Sequence, residues 1–399
     1  MKRSIKDVNF KGRKVLLRVD FNVPMDANKN ITDDTRMREA MPTIKKLLND
    51  GAAIIIMAHF GRPTKGGFEE DLSLKPVAKH LEEMLQRPVI FSQDLLSEKS
   101  VQIAKDMKPG DVMLLENIRF YKGETKGDLD LARELAKLGD CYVNDAFGAA
   151  HRNHASTAVL ASLFPNDKYF GLLMENEITN LRKMMKDPQR PFTAIIGGSK
   201  ISSKIHVLEN LMHKVDNMVI VGGMRYTFIK AMGGKIGNSI HEDECMDQAL
   251  DMMHKMDELG VKYYIPVDSV VVDRFANDAN TQLVKGNAVP DGWEAVDCGP
   301  ESVKDFQKII SESKTILWNG PVGVFEMPNF AKGTNALAQA CADACAKGAY
   351  VAVGGGDSIA AIKQANLVDK MSYISTGGGA MLEFLEGREL PGIAAIEKD

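Results

Sequence analysis

Four apolar runs in the first half of the chain end in side chains that hold anions. "KVLLRVDFNVP" leads to Arg18, Asp20 and Asn22, "GAAIIIMAHFGRP" to His59 and Arg62, "GDVMLLENIRF" to Arg119, and "DCYVNDAFGAAHR" to His151 and Arg152; Arg36 follows in the loop region after the first run. Guanidinium forks match carboxylate and phosphate geometry. Taken singly, each arginine reads as a surface residue, and His59 as an ordinary structural histidine. Gathered at one edge the arginines repel one another unless an anion neutralises them, and their recurrence gives the pattern weight. The second half uses glycine instead, in "TAIIGGSK", "MVIVGGMR", "TILWNGPVG", "YVAVGGGDS" and "YISTGGGA". Glycine lets backbone amides approach a phosphate or a flat ring. Lys200 and Lys204, four apart in "GGSKISSK", read as one face of a helix start, although the full GxxxxGK[ST] pattern is absent. Asp357 in "GGGDS" is either a hard oxygen ligand for Mg²⁺ or a helix N-cap, and Glu326 is placed to accept ribose hydroxyls.

These residues need elements to carry them. Stretches such as "TRMREAMPTIKKLLND" and "SLKPVAKHLEEMLQRP" space their apolar residues as helices do, and they alternate with strand-like runs. That order implies an α/β fold of parallel sheets covered on both faces, with ligands beyond the carboxyl ends of the strands. A length of 399 residues suits two domains. "LLMENEITNLRKMMKDPQRP" reads as a helix ending at its Asp-Pro and Arg-Pro steps. We therefore expect a first domain over 1–172, a hinge helix over 173–190 and a second domain over 191–387.

Composition narrows the partners. Lys+Arg 50 against Asp+Glu 54 gives a formal charge of −4, so no overall basic field draws the chain to nucleic acid or an anionic membrane. The most apolar run, "GAAIIIMA", is too short to span a bilayer. Five scattered cysteines argue for a reducing, cytoplasmic setting. One half thus reads as a site for a compact polyanion and the other for a nucleotide, which points to phosphoryl transfer between them. Such transfer needs in-line positioning and positive charge. One lysine would hold phosphates in place while the next reaches toward the migrating group.

The strings "RVDFNVP", "HFGRP", "LLENIRF", "NDAFGAAHR", "GGSKISSK", "DCGPES", "WNGPVGVFE", "GGGDS" and "STGGGA" run in the order and spacing of phosphoglycerate kinases, and this resemblance covers essentially the whole chain. It implies two Rossmann-like domains with residues 388–399 packing back onto the first. It implies a monomer that transfers phosphoryl reversibly from 1,3-bisphosphoglycerate to MgADP in glycolysis, giving 3-phosphoglycerate and MgATP after domain closure. Carried over by position, Asp20, Phe21, Asn22, Arg36, His59, Phe60, Gly61, Arg62, Arg119 and Arg152 would bind 3-phosphoglycerate. Gly198, Lys200, Lys204, Gly222, Gly223, Asn319, Glu326, Gly355, Gly356, Asp357 and Ser358 would bind the nucleotide. Arg36 and Lys204 would be catalytic, and Asp357 would meet the metal.

The pattern departs from the family at "VGGMRYTF", where Val221 replaces a glycine and Arg225 an alanine; a narrowed or altered base pocket is the expectation. Two rivals are a nicotinamide-dependent oxidoreductase and a silent nucleotide-binding regulator. The first lacks GxGxxG followed by an acidic strand end, and the second would have lost Arg36 or Lys204.

Overall fold

The computed structural model describes residues 3–94 and 97–398. The chain divides into two compact units, one of residues 1–180 and 389–399 and one of 181–388. The helix Leu172–Lys186 contains the division and stops ahead of Pro188, where the pre-proline residue is pushed out of the helical region.

In the first unit, runs of three to five residues form β1 (Lys14–Arg18), β2 (Ala53–Met57), β3 (Val89–Ser92), β4 (Val112–Leu115), β5 (Cys141–Asn144) and β6 (Lys168–Phe170). They pair in the order β3-β4-β2-β1-β5-β6, all parallel. Every residue of β2, β4 and β5 is buried, which requires cover on both faces of the sheet. Helices supply it. Thr35–Asn49 buries Met37, Met41, Ile44 and Leu47, three or four apart, and Lys75–Leu85 buries Val77 and Ala78 with Leu81 one turn on. These side chains join Phe10, Leu17, Ile54, Ile56 and Val143 in one core.

Residues 389–399 complete this unit. Leu390, Ile393 and Ile396 are buried. Gly392 N–H donates to Ala150 O at 2.8 Å, and Lys168 Nζ to Lys398 O at 2.6 Å.

The second unit holds β7 (Phe192–Ile196), β8 (Asn217–Ile220), β9 (Lys235–Ile236), β10 (Lys262–Tyr264), β11 (Asp268–Val272), β12 (Thr281–Lys285), β13 (Ala288–Val289), β14 (Glu294–Cys298), β15 (Thr315–Asn319), β16 (Tyr350–Gly354) and β17 (Tyr373–Ile374). Its main sheet runs β10-β8-β7-β15-β16-β17, again parallel throughout. Trp318, Ile195, Val219, Leu337 and Val351 lie in its core. The sequence reading did not anticipate the antiparallel β12-β11-β14 sheet or the β13-β9 pair.

Candidate active site

In the first unit, β4, β2, β1 and β5 are neighbours, so their carboxyl ends bring the arginine-bearing turns together. Asp20 lies two residues past β1 and accepts from Arg36 Nη1 at 3.0 Å, tying the first turn of helix Thr35–Asn49 to the sheet edge. Asn22 N–H donates to Asp20 Oδ1 at 3.3 Å, and Asn22 Oδ1 accepts from Gly61 N–H at 2.9 Å. Gly61 O in turn accepts from Arg119 Nη1 at 2.7 Å. At φ +57 and with Leu72 packed where a Cβ would stand, position 61 requires glycine. Three strand ends are thereby laced into one rim.

Asn117, absent from the sequence candidates, braces that rim. Its Nδ2 donates to Phe60 O at 2.7 Å and Leu72 O at 3.0 Å, while its Oδ1 accepts the Phe60 and Arg119 N–H groups at 3.1 Å each. Its place before the turn Ile118–Phe120, as the capping residue, was the available signal. Phe21 belongs to the core, so only its backbone can face a ligand. Phe60 is half-buried, and Arg62 is exposed one residue past Gly61. Arg152 Nε donates to His151 Nε2 at 3.2 Å.

The electrostatics of this edge are one-sided. Burial holds His59 well below the ordinary imidazole range, and Arg18, Arg119, Arg152 and Arg36 push it further down. Burial, Arg152 and Arg18 lower Arg119 to about 10, which leaves it charged at neutral pH. A cluster of cations around a neutral imidazole suits an anion.

In the second unit, β8, β7, β15 and β16 are neighbours, and their ends carry the glycines. At Gly222, with φ +72, a Cβ would meet Gly198 N at 2.6 Å. Met224 N–H donates to Gly198 O at 2.9 Å, and Gly197 N–H to Asn319 O at 2.8 Å. The turns therefore touch backbone to backbone. Gly223 packs beside Ser199 in the same way.

Lys204 and Lys200 do not share a helical face. The helix begins only at Ile205, because residues 202–204 form a turn closed by Lys204 N–H to Ile201 O at 2.8 Å. Ser202 anchors that turn, donating from Oγ to Glu242 Oε1 at 2.6 Å and from N–H to Oε2 at 2.9 Å. Lys200 is exposed and Lys204 half-buried. Lys204 Nζ donates to Asn319 Oδ1 at 2.6 Å, and Asn319 Nδ2 to Gly354 O at 2.9 Å. Burial lowers the Lys204 ammonium from the usual lysine range, against the opposing pull of Asp357 and Glu386.

Helix Gly356–Gln364 has Gly355, at φ +92, as its N-cap and no capping side chain. The alternative of Asp357 as N-cap is thereby removed: its carboxylate lies exposed in the first turn. Ser358 is buried, and its Oγ accepts from Gly320 N–H at 2.6 Å, so it holds the neighbouring turn. Glu326 is exposed. Among the described residues no cluster of three His, Cys, Asp or Glu could hold a metal. A divalent cation bound through one carboxylate and substrate phosphates fits such a surface, since Mg²⁺ rarely uses an all-protein cage.

The Val221 side chain does not narrow an open pocket: it has no exposure and joins the core with Ile195 and Trp318. Arg225 is buried too. It donates to Ser269 Oγ at 3.1 Å and Asp297 O at 3.0 Å and lies 4.7 Å from the Tyr226 ring centroid, but its Nε and Nη1 have no partner among the described residues.

The family model described as phosphoglycerate kinase matches residues 5–388. A relative from Porphyromonas gingivalis named phosphoglycerate kinase is 49% identical, across 99% of this chain and 100% of its own. The solved phosphoglycerate kinase of Coxiella burnetii superposes with a TM-score of 0.91 at 42% identity, covering 99% of this chain and 98% of that one. That of Pyrococcus horikoshii gives 0.82 at 31% identity, with the same coverage. Over nearly its whole length, then, the chain belongs to the phosphoglycerate kinase family.

Proposed function

We propose that the first unit holds 3-phosphoglycerate or 1,3-bisphosphoglycerate and the second holds ADP or ATP, and that the phosphoryl group passes directly between them. The observation that carries this assignment is the contrast of the two sheet edges: cationic side chains at four neighbouring strand ends in one unit, backbone glycine turns at four neighbouring strand ends in the other. Asp20, Asn22, His59, Arg62, Arg119 and Arg152 bind the acid substrate, with the backbone of Phe21, Phe60 and Gly61 against it. Arg36, steadied by Asp20, addresses the carboxylate that accepts or releases phosphoryl. Gly198, Gly222 and Gly223 leave room for the nucleotide, Glu326 meets its ribose, and Lys200, Asn319, Gly355, Gly356 and Ser358 form or brace its phosphate cradle.

Lys204 meets the group in flight. Held by Asn319, its ammonium is half-buried and partly desolvated, and positive charge in such a setting best stabilises charge growing on equatorial oxygens. Asp357 would hold Mg²⁺ together with the nucleotide phosphates, and the ion would offset phosphate charge. In the ATP-forming direction the leaving group is a carboxylate and the nucleophile, a phosphate oxygen of ADP, is already an anion, so no general base is needed. Half-sites carried by separate units require the units to close and exclude water before transfer. We further propose a monomer in a reducing cytoplasm; five free cysteines support the redox setting, and no described helix is long and apolar enough to cross a membrane.

The test is phosphoryl transfer from MgATP to 3-phosphoglycerate, coupled through a dehydrogenase to NADH loss. Lys204→Ala and Arg36→Ala should each lower kcat by about 10²–10³ while moving either KM far less. Unchanged kcat in both variants would overturn their assigned roles.

A further inference from the structure

We infer that Arg18 is a positioning residue which fixes the His59 ring as the tautomer protonated on Nε2, so that His59 meets the acid substrate as a hydrogen-bond donor. Arg18 is the one strand-end arginine of the first unit with no exposure at all. It ends β1 and sits beneath the rim. Its Nη2 lies 3.1 Å from His59 Nδ1, its Nε donates to Ser156 Oγ at 2.9 Å, and its Nη1 donates to Val19 O.

A guanidinium has no acceptor, so in this contact Nδ1 supplies the lone pair and the ring proton resides on Nε2. The other end of the chain is equally determined. Ser156 Oγ accepts from Arg18 and donates to Glu124 Oε1 at 2.7 Å, and Ser156 N–H donates to Glu124 Oε2 at 3.0 Å. Glu124, fully buried, accepts from Ser156 through both of its oxygens, as a carboxylate does, and Arg18 and the Ser156 bonds oppose the rise in pKa that burial imposes on it. The sequence Glu124, Ser156, Arg18, His59 thus runs from a buried carboxylate to the imidazole, with each donor and acceptor role set by the one before.

Protonation of Nδ1 would break this order and place a fifth cation among Arg18, Arg119, Arg152 and Arg36, the charged groups that face the ring. His59 therefore stays a neutral donor across the physiological range in the substrate-free protein. The inference rests on the proposal that His59 faces the acid substrate, and its test separates the two.

Protein labelled with ¹⁵N-histidine is followed by long-range ¹H–¹⁵N correlation from pH 5.5 to 8, with the His59 signals identified by their loss in His59→Gln. The expected pattern is Nε2 protonated and Nδ1 bare, unchanged over the range. An Nδ1-protonated ring, or an ordinary imidazole titration in the wild-type protein, would overturn the inference without recourse to any variant. In Arg18→Met the ring should titrate or mix tautomers, and KM for 3-phosphoglycerate should rise about tenfold with kcat within a factor of about two. Arg18→Lys, which can still donate to Nδ1, should restore the wild-type spectrum; failure to do so in a folded protein counts against the proposal. Added 3-phosphoglycerate should shift the His59 Nε2 resonance. An unmoved Nε2 with the tautomer as described would refute the donor role, and with it the substrate reading, while leaving the Arg18 contact intact.

Discussion

Asp145 shows how much one side chain can carry at a strand end. It follows β5, and its Oδ1 accepts from Met174 N–H at 3.1 Å in the first turn of helix Leu172–Lys186, while Oδ2 has no partner. Burial raises the carboxyl to about 7, against the opposing bonds from Thr43 and from the Met174 and Leu173 backbone. A carboxyl raised in the fold contributes stability that is complete below its unfolded value near 3.8 and is lost as pH rises through about 7. Asp145→Asn keeps an acceptor for Met174 but does not titrate. From pH 4 to 8, wild-type stability should therefore fall relative to the variant, by up to about 4 kcal/mol. Urea unfolding of both proteins across that range checks it; parallel pH curves would show that Asp145 is not held neutral by the fold. The residues themselves named Arg18, Asp20 and Asn22 only as strand-end candidates, and it was the family resemblance that carried Asp20 and Asn22, without Arg18, to the acid substrate. Arg18 turns inward and Asp20 meets Arg36 at the rim. The partners that settle the matter, Ser156 and Glu124, lie far along the chain and have no local signature.

At the scale of the element, the turns were more legible than their supports. Glycine at strand ends marks positions that other residues cannot occupy, and the structure uses it in two ways. Gly320, at φ +105, has the Gly197 backbone well inside contact distance of any Cβ, whereas Gly356 has open space there. Gly320→Ala should cost more than about 2 kcal/mol in stability, because neither backbone can yield cheaply. Gly356→Ala should leave stability within about 1 kcal/mol of wild type. It should nonetheless raise KM for the nucleotide, if phosphate oxygens approach that bare backbone. Melting curves and nucleotide titrations on the pair separate the roles, and a Gly356→Ala protein with unaltered nucleotide affinity would remove that residue from the cradle. What escaped the sequence reading was the β12-β11-β14 sheet. Four of the five residues of β12 are exposed, so it lacks the apolar run that betrays a buried strand, and its antiparallel pairing depends on partners rather than on its own pattern. The lysine spacing misled for a related reason: four residues apart meets the helical repeat, but the Ser202–Glu242 anchor holds that stretch in a turn.

For the molecule as a whole, the first unit is made of two separated stretches and the second of one. Deleting residues 389–399 removes the buried Leu390, Ile393 and Ile396 and should destabilise the first unit by on the order of 5 kcal/mol. Both tryptophans, Trp293 and Trp318, lie in the second unit, so tryptophan fluorescence follows that unit while far-ultraviolet circular dichroism follows both. The dichroism transition should move to lower temperature more than the fluorescence transition; equal shifts would refute a local role for the segment. The same discontinuity orders events during synthesis. When residue 388 has left the ribosome the second unit has all of its chain, whereas the first, though made earlier, still awaits the helix Pro391–Glu397 that closes against Ala150. The half built first is the half finished last, and until then a nascent chain carries its arginine edge on an incomplete core, exposed to whatever anions and chaperones surround it.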